Sequence, residues 1–174
     1  MEAVAPIWSN DPIAWKRVFN SPIECGLRIA LILTEVYPQD CDLQELVQLD
    51  YLLVHSGDMP NGPQSIHPAH PYRATELHLR RPLVEQGLAM MLSKSVIECT
   101  VSPKGITYHA GTWALTYLNE LESAYTQQLR QTAKWLAGSY ARLPKEELAG
   151  QLSTQSRQWG TEFSPTTLAL ADSN

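Results

Sequence analysis

Residues 96–111 read VIECTVSPKGITYHAG. Apolar and polar residues alternate from Val96 to Val101 and again from Ile106 to Ala110, which is typical of half-buried β-strands. The Ser-Pro-Lys-Gly segment between them supplies the residues of a tight turn. The sequence therefore predicts a two-stranded antiparallel hairpin here, and helical patterns lie on both sides of it.

Three helical regions are predicted ahead of the hairpin. Residues 21–24 (SPIE) combine a capping serine, a proline at the first helical position and a glutamate three residues after the cap. Residues 42–45 (DLQE) repeat the cap with an aspartate. The third region spans residues 74–91, where Pro82 allows either the start of a second helix or a kink in a continuous one.

Helix, helix, helix, hairpin, helix is the element order of a winged-helix domain, in which the strand pair is the wing. We therefore predict a mostly α fold with a small β-hairpin. A winged-helix domain is expected at residues 21–111, with a long Pro/His loop at 56–72, and a long C-terminal helix at 112–143. Residues 1–20 are predicted to form an aromatic arm, and residues 144–174 a weak helix with a flexible tail.

Aromatic residues of the arm and the C-terminal helix are candidates for contact with a partner protein, because interfaces favour Trp and Tyr. These residues are Trp8, Trp15, Phe19, Trp135 and Tyr140. An equally good alternative is that they cover the core of their own domain.

The composition disfavours a free-standing DNA-binding domain. The net charge is −5 and the pI about 5.5, whereas phosphate neutralisation drives DNA affinity. Charged residues make up 18% of the chain, below the usual quarter or so, which favours a surface partly covered by another protein. We expect a cytoplasmic protein with no membrane segment, because MEAVAPIWSNDP has neither the basic start nor the apolar run of a signal peptide.

A winged-helix DNA-binding transcriptional regulator is the second interpretation. Four basic residues of the third helical region and the wing are candidates for phosphate contact, namely Arg80, Arg81, Lys94 and Lys104. Residues 83–91 contain no positive residue, so base readout has few candidates.

The loop at 56–72 is rich in histidine and proline. His67 and His70, with His55, His78 and Asp58 nearby, could supply metal ligands, but their spacing fits no known metal motif and no cysteine lies near. We predict no catalytic, cofactor or metal site and interpret the loop as a structural clamp or a contact surface. A small metal-dependent enzyme is the third interpretation.

Polar residues flank this loop on both helices. Asp50 and His55 lie among leucines, where they either form a polar network that reaches the loop or lie on a solvated helix face, and the solvated face is favoured. Arg73 and Glu76 are spaced i, i+3 and are predicted to pair, which would fix the exit of the loop.

Two motifs around the loop resemble a known family. LDYLLVHSGD (49–58) and SIHPAHPYRATEL (65–77) resemble the second type of middle component from bacterial ABC three-component conflict or defence systems, and the likeness covers residues 18–140. Such systems pair a chromosome-maintenance-like ABC ATPase with a small winged-helix middle protein and a third component that bears an effector. The resemblance implies an adaptor between a coiled-coil ABC ATPase and an effector protein, with DNA reached through the complex.

The resemblance also marks candidate residues for interface or loop-fixing roles. They are Asp50, His55, Asp58, His67, Pro68, Pro71, Arg73 and Glu76. His70 and Tyr72 depart from the expected pattern, which speaks against a fixed histidine chemistry in the loop.

Overall fold

A computed structural model describes residues 21–68, 73–141 and 143–162. Within these ranges the chain forms six helices and a three-stranded antiparallel sheet, which confirms the predicted mostly helical class. The predicted arm at 1–20, the loop residues His70, Pro71 and Tyr72, and the end of the tail from residue 163 lie outside the described residues.

The described elements are α1 (Pro22–Val36), β1 (Cys41–Asp42), α2 (Leu43–Val54), a 3-10 turn (Ser56–Asp58), α3 (Arg73–Leu92), β2 (Ile97–Ser102), β3 (Gly105–Ala110), α4 (Ala114–Asn119), α5 (Ala124–Ser139) and α6 (Lys145–Glu162). Of the two alternatives at Pro82, the continuous helix is found. In the described part of the chain, no helix has both the length and the apolar character needed to cross a membrane.

Helices α1 and α2 begin at the caps that the sequence predicted. The Ser21 side chain accepts a hydrogen bond from the backbone N–H of Glu24. Asp42 accepts from the N–H of Glu45, while the Glu45 carboxylate accepts from the N–H of Asp42, which completes a capping box. Each cap satisfies amide groups that a helix start leaves unpaired, so the caps set where both helices begin.

The sheet contains the predicted hairpin and one strand more. In the hairpin, Ile97 lies opposite Ala110 and Ser102 opposite Gly105. The two-residue strand β1 pairs antiparallel with β3, with Cys41 opposite Tyr108, and the strand order is β1-β3-β2. The sequence did not predict β1, because two residues are too few to show an alternating pattern.

The prediction of a single long helix at 112–143 is wrong, because two helices, α4 and α5, occupy this range. The break falls just before α5, where Ser123 is extended and its side chain accepts from the N–H of Thr126. Such a serine cap starts a new helix. Apolar residues on both sides of the break are buried in one core, as Leu118 of α4 and Leu129 of α5 show.

Helix α6 is longer than the predicted weak helix and extends to Glu162, into the part that was expected to be flexible. Leu148 and Leu152 are buried in the core. Lys145 Nζ lies 2.8 Å from Asp42 Oδ2 and 3.1 Å from Glu45 Oε2. These contacts hold the start of α6 against the start of α2.

Helices α1 and α3 cross with their backbones in contact. A Cβ on Gly87 would lie 2.7 Å from the backbone nitrogen of Gly26, and a Cβ on Gly26 would lie 2.9 Å from the carbonyl oxygen of Gly87. Only glycine permits so close an approach. The crossing brings the middle of α1, which is buried on nearly every side, against α3.

Candidate functional site

Asp50 on α2 lies at the centre of a group of buried charged side chains. Its fully buried carboxylate accepts hydrogen bonds from Arg28 Nε at 2.6 Å and from Arg80 Nη1 at 2.6 Å. Arg28 Nη2 adds a second bond to Asp50 at 3.1 Å. Since Arg28 lies on α1 and Arg80 on α3, one carboxylate joins three helices. The favoured interpretation of Asp50 as part of a solvated face is therefore wrong.

The charges of this group stabilise one another. Burial alone would raise the pKa of the Asp50 carboxyl, but the two guanidinium groups outweigh it and lower that pKa. Burial alone would likewise lower the pKa of Arg28, and the attraction of Asp50 outweighs it. Each arginine also contacts a second carboxylate, since Arg28 Nη1 lies 3.0 Å from Glu24 Oε1 and Arg80 Nη2 lies 2.7 Å from Glu76 Oε1.

Glu76 links this group to the end of α2. Its Oε1 atom lies 3.1 Å from Nε2 of His55, whose side chain is buried. Burial raises the pKa of the Glu76 carboxyl, but the contacts with His55 and Arg80 outweigh it and lower the pKa to about 2. The polar network that reaches the loop, which was the less favoured alternative, is therefore what the structure contains.

His67 connects the loop to α5. Its Nε2 atom lies 3.0 Å from the hydroxyl of Tyr125, and that hydroxyl donates to Glu24 Oε1. Burial first, and then the nearby positive charges, lower the pKa of His67 to about 4, so His67 is neutral at pH 7. Burial raises the pKa of Glu24 despite its contacts with Tyr125 and Arg28.

We refer to these eight side chains as the buried charged cluster: Glu24, Arg28, Asp50, His55, His67, Glu76, Arg80 and Tyr125. It joins α1, α2, α3, α5 and the loop after α2. Because its partners come from distant parts of the chain, the cluster fixes where the loop lies against the helices.

The loop is also closed by its own hydrogen bonds. These are Ser56 Oγ to Pro63 O (3.0 Å), Gly57 N–H to Ser65 Oγ (3.0 Å), and the N–H groups of Ile66 and His67 to Val54 O (both 3.0 Å). Asp58 accepts from the Tyr51 hydroxyl at 2.7 Å. A Cβ on Gly62 would lie 1.9 Å from the carbonyl oxygen of Ser56, so the loop folds tightly back on the end of α2.

The structure brings together most of the residues that the two motifs marked. Asp50, His55, His67 and Glu76 belong to the buried charged cluster, and Asp58 holds the loop to α2. Pro68 is exposed. Pro71 and the side chain of Arg73 lie outside the described part of the chain, and the Arg73–Glu76 pair stays a prediction.

Three members of the cluster were not identified as site residues from the sequence: Glu24, Arg28 and Tyr125. For one of them, Arg28, the sequence did contain an indication of a buried partner. Arg28 interrupts the apolar run of α1, and a charge on a helix buried all round requires a partner of opposite charge. The sequence places Tyr125 within the predicted C-terminal helix and gives Glu24 a capping role. Neither assignment indicated that their side chains meet.

The candidates for phosphate contact differ in their surroundings. Arg80 is only 4% exposed and is engaged with Asp50 and Glu76, so the prediction that it contacts phosphate is wrong. Arg81 is exposed, and its Nε atom lies 3.2 Å from Glu85 Oε1. Lys94 and Lys104 are exposed.

The side chains of the buried charged cluster form ion pairs and hydrogen bonds with one another. Among the described residues no group of three or more His, Cys, Asp or Glu side chains could hold a metal ion. Burial raises the pKa of the Cys25 thiol, and it raises the pKa of Cys41 to about 12, so neither thiol ionises at neutral pH. What the arrangement achieves is to lock a shaped loop to four helices.

These features define a class of protein: a mostly helical domain with a small antiparallel sheet, in which a buried charged cluster shapes a surface loop. The family model of ABC-three component (ABC-3C) system Middle Component 2 matches residues 18–162, and the chain belongs to this family. The resemblance carried by the two motifs is thereby confirmed, and the match extends beyond residue 140. No curated protein and no solved structure matches the chain.

Proposed function

We propose that the chain is a non-enzymatic adaptor that binds the ABC ATPase of its three-component system and couples it to an effector protein. Membership of a middle-component family implies partner components. The adaptor would act in the cytoplasm, in defence against phage or mobile elements. When the ATPase closes on foreign DNA, the adaptor would release or activate the effector that it holds.

The observation that carries this proposal is an exposed apolar groove of about 410 Å³. It lies between the start of α1, the end of α3 and α4, and its apolar lining residues are Ile23, Met90, Met91, Val96, Trp113 and Tyr117. Ile23 and Trp113 are 55% and 57% exposed. Large apolar side chains gathered in one exposed groove mark a protein-binding surface, and Trp is enriched among the residues that dominate binding energy.

An apolar groove of this kind suits an amphipathic helix of a partner. An ATPase with a coiled coil presents long helices, so we assign this groove to the ATPase. Lys94 is the charged side chain among the described residues that line it, and it can pair with an acidic residue on the polar side of the incoming helix.

We further infer that residues 21–111 are arranged as a winged helix, with β2 and β3 as the wing. The order α1-β1-α2-α3-β2-β3 and the pairing of β1 with β3 support this inference. In a DNA reader, α3 would present cations to the duplex. Here its exposed face carries Leu79, which is 70% exposed, and Arg81 is paired with Glu85. This face suits a protein partner better than phosphate.

Co-expression of the full chain with the ATPase and the effector of its system tests the proposal. We expect the wild-type chain to co-purify with both. Trp113→Ala should reduce ATPase retention about tenfold or more, the size expected when a central interface Trp is truncated. Leu115→Ala is the matched control, because Leu115 lies two residues away on α4 and is 61% exposed but does not line the groove. A wild-type chain that retains neither component contradicts the adaptor function.

A further inference from the structure

A second groove, of about 620 Å³, lies between loop residues 61–66 and helix α5, and none of the described residues that line it lines the apolar groove. Its chemistry is different. Four primary amides face it, from Asn61 and Gln64 on the loop and from Gln128 and Gln131 on α5. Ile66 and Trp135 supply apolar surface.

None of the described side chains that line this second groove is charged. An Asn or Gln side chain carries two N–H donors and one carbonyl acceptor, which match the acceptor and donor of a peptide unit. Amides on both walls can therefore bind the main chain of an extended segment from two sides. The Trp135 indole, which packs edge-on against Tyr140 with ring centroids 5.3 Å apart, offers a fixed surface for one apolar side chain.

The buried charged cluster sets the spacing between the two walls. His67 follows the loop wall directly, and its Nε2 atom lies 3.0 Å from the hydroxyl of Tyr125 on α5. On the loop side, Ser56 Oγ holds the carbonyl of Pro63 at 3.0 Å, and Gly57 N–H holds Ser65 Oγ at 3.0 Å. A groove whose walls are already fixed loses little conformational freedom on binding, which favours affinity.

We propose that this groove binds an extended, uncharged segment of the effector component, through amide hydrogen bonds to its main chain and one apolar side chain on Trp135. The inference rests on the proposed function, because it takes the partner from the same system. A charged segment would lose hydration without finding an opposite charge. Nucleic acid would find no cation here to neutralise its phosphates.

Two grooves that share no described lining residue allow two proteins to bind at once. The apolar groove takes the ATPase, and the amide-lined groove takes the effector. The ATPase and the effector would then not compete for one groove. Neither would have to dissociate from the chain before the other binds.

The test uses the full chain co-expressed with the ATPase and the effector, and a double variant, Gln128→Glu with Gln131→Glu. Both glutamines are exposed, so the fold is retained, which a wild-type melting temperature verifies. The matched control is Gln86→Glu with Gln127→Glu, two exposed glutamines outside the groove. We expect the double variant to lose the effector about tenfold or more, as for a disrupted interface centre, and to retain the ATPase at the level of the control.

Three other outcomes overturn the inference. If the double variant keeps both components, the groove is not the effector site, while the adaptor function stands. If it loses both, the two surfaces are not independent. If the wild-type chain retains neither, the proposed function fails and the inference with it. An array of peptides from the effector, probed with the full chain, tests the chemistry of the segment: binders should be uncharged at their centre, and charged binders contradict the proposal.

Discussion

Asp50 shows how much of this fold depends on a single carboxylate. It pairs with two arginines that come from different helices, and both arginine side chains are almost fully buried. Buried ion pairs contribute little net stability when compared with apolar residues of the same size, but removal of one partner leaves an uncompensated charge in the core. The cost of losing Asp50 therefore exceeds the stability that the pairs themselves contribute.

Asp50→Asn should lower the free energy of unfolding by about 3–5 kcal/mol, because Arg28 and Arg80 are left buried without their shared counter-charge. Urea unfolding followed by circular dichroism measures the loss. Glu85→Gln is the control: it removes the exposed pair with Arg81, in which both side chains are about half exposed, and should cost about 0–1 kcal/mol. A stability of Asp50→Asn close to that of Glu85→Gln would contradict this prediction.

The low pKa of His67 predicts that the folded chain loses stability in mild acid. Its pKa is about 4 in the folded chain against 6.5 for the free side chain. Between these values the unfolded chain binds a proton that the folded chain does not, so stability is lost as the pH falls from about 6.5 toward 4. Burial contributes most to the lowering of this pKa, followed by Arg28, His55 and Arg80, while Asp50 acts in the opposite direction.

A series of urea unfolding curves from pH 7 to pH 5 measures this loss, and His67→Gln should flatten it. The comparison with His67→Gln separates His67 from Glu24, whose raised pKa acts in the opposite direction. Glu76 contributes at lower pH, since its pKa of about 2 means that its stabilisation is present above 4.5 and is lost as the pH falls toward 2. Equal slopes for the two proteins between pH 5 and 6.5 would show that His67 does not titrate as described.

At the scale of elements, the crossing of α1 and α3 depends on two glycines. Gly87→Ala would place a Cβ 2.7 Å from a backbone atom of α1, so the helices must move apart, and overpacking of this kind costs about 1–3 kcal/mol. Gly138→Ala is the matched control in α5, where a Cβ meets nothing within 4 Å. Because alanine favours helix over glycine by about 1 kcal/mol, the control should gain stability. Chemical denaturation measures the free energy of unfolding, which should fall for Gly87→Ala and rise for Gly138→Ala. A change in the same direction for both variants would contradict the close contact of α1 and α3.

The elements that the sequence could predict are those with local signals. The caps at Ser21 and Asp42 and the alternation in residues 96–111 depend on near neighbours, so they identify α1, α2, β2 and β3. The break before α5 escaped prediction because apolar residues that face the core lie on both sides of it, as with Leu118 and Leu129. Strand β1 was missed because its pairing with β3 is a long-range contact of two residues.

The site was harder to predict than the elements. The two motifs named Asp50, His55, His67 and Glu76, but a helical pattern cannot show that residues 28, 50 and 80 meet. The solvated-face interpretation followed from the usual rule that aspartate avoids a core, and that rule fails where two arginines bind the carboxylate. A lone arginine in an apolar helix was the available signal, and it pointed to a partner of opposite charge without identifying it.

At the scale of the whole molecule, the exposed surface is compared with what a protein partner and a nucleic acid each require. Among the described residues of α3 and the wing, few cations could meet phosphate: Arg80 is buried, Arg81 is paired with Glu85, and Lys94 and Lys104 are exposed. The exposed large apolar side chains include Leu79, Met90 and Trp113. A molecule with this surface and a net charge of −5 is better suited to protein partners than to a polyanion.

The full chain alone should therefore bind duplex DNA weakly and with little salt dependence. At α3 and the wing, Lys94 and Lys104 would neutralise about two phosphates, and each neutralised phosphate contributes about −0.9 to the slope of log affinity against log salt. Fluorescence anisotropy of a labelled duplex at several salt concentrations measures both quantities. Lys94→Gln with Lys104→Gln should abolish the residual binding if these lysines are its source. Sub-micromolar affinity with a slope much steeper than about −2 would require more cations at the interface than these two lysines, and it would favour the DNA-binding regulator over the adaptor.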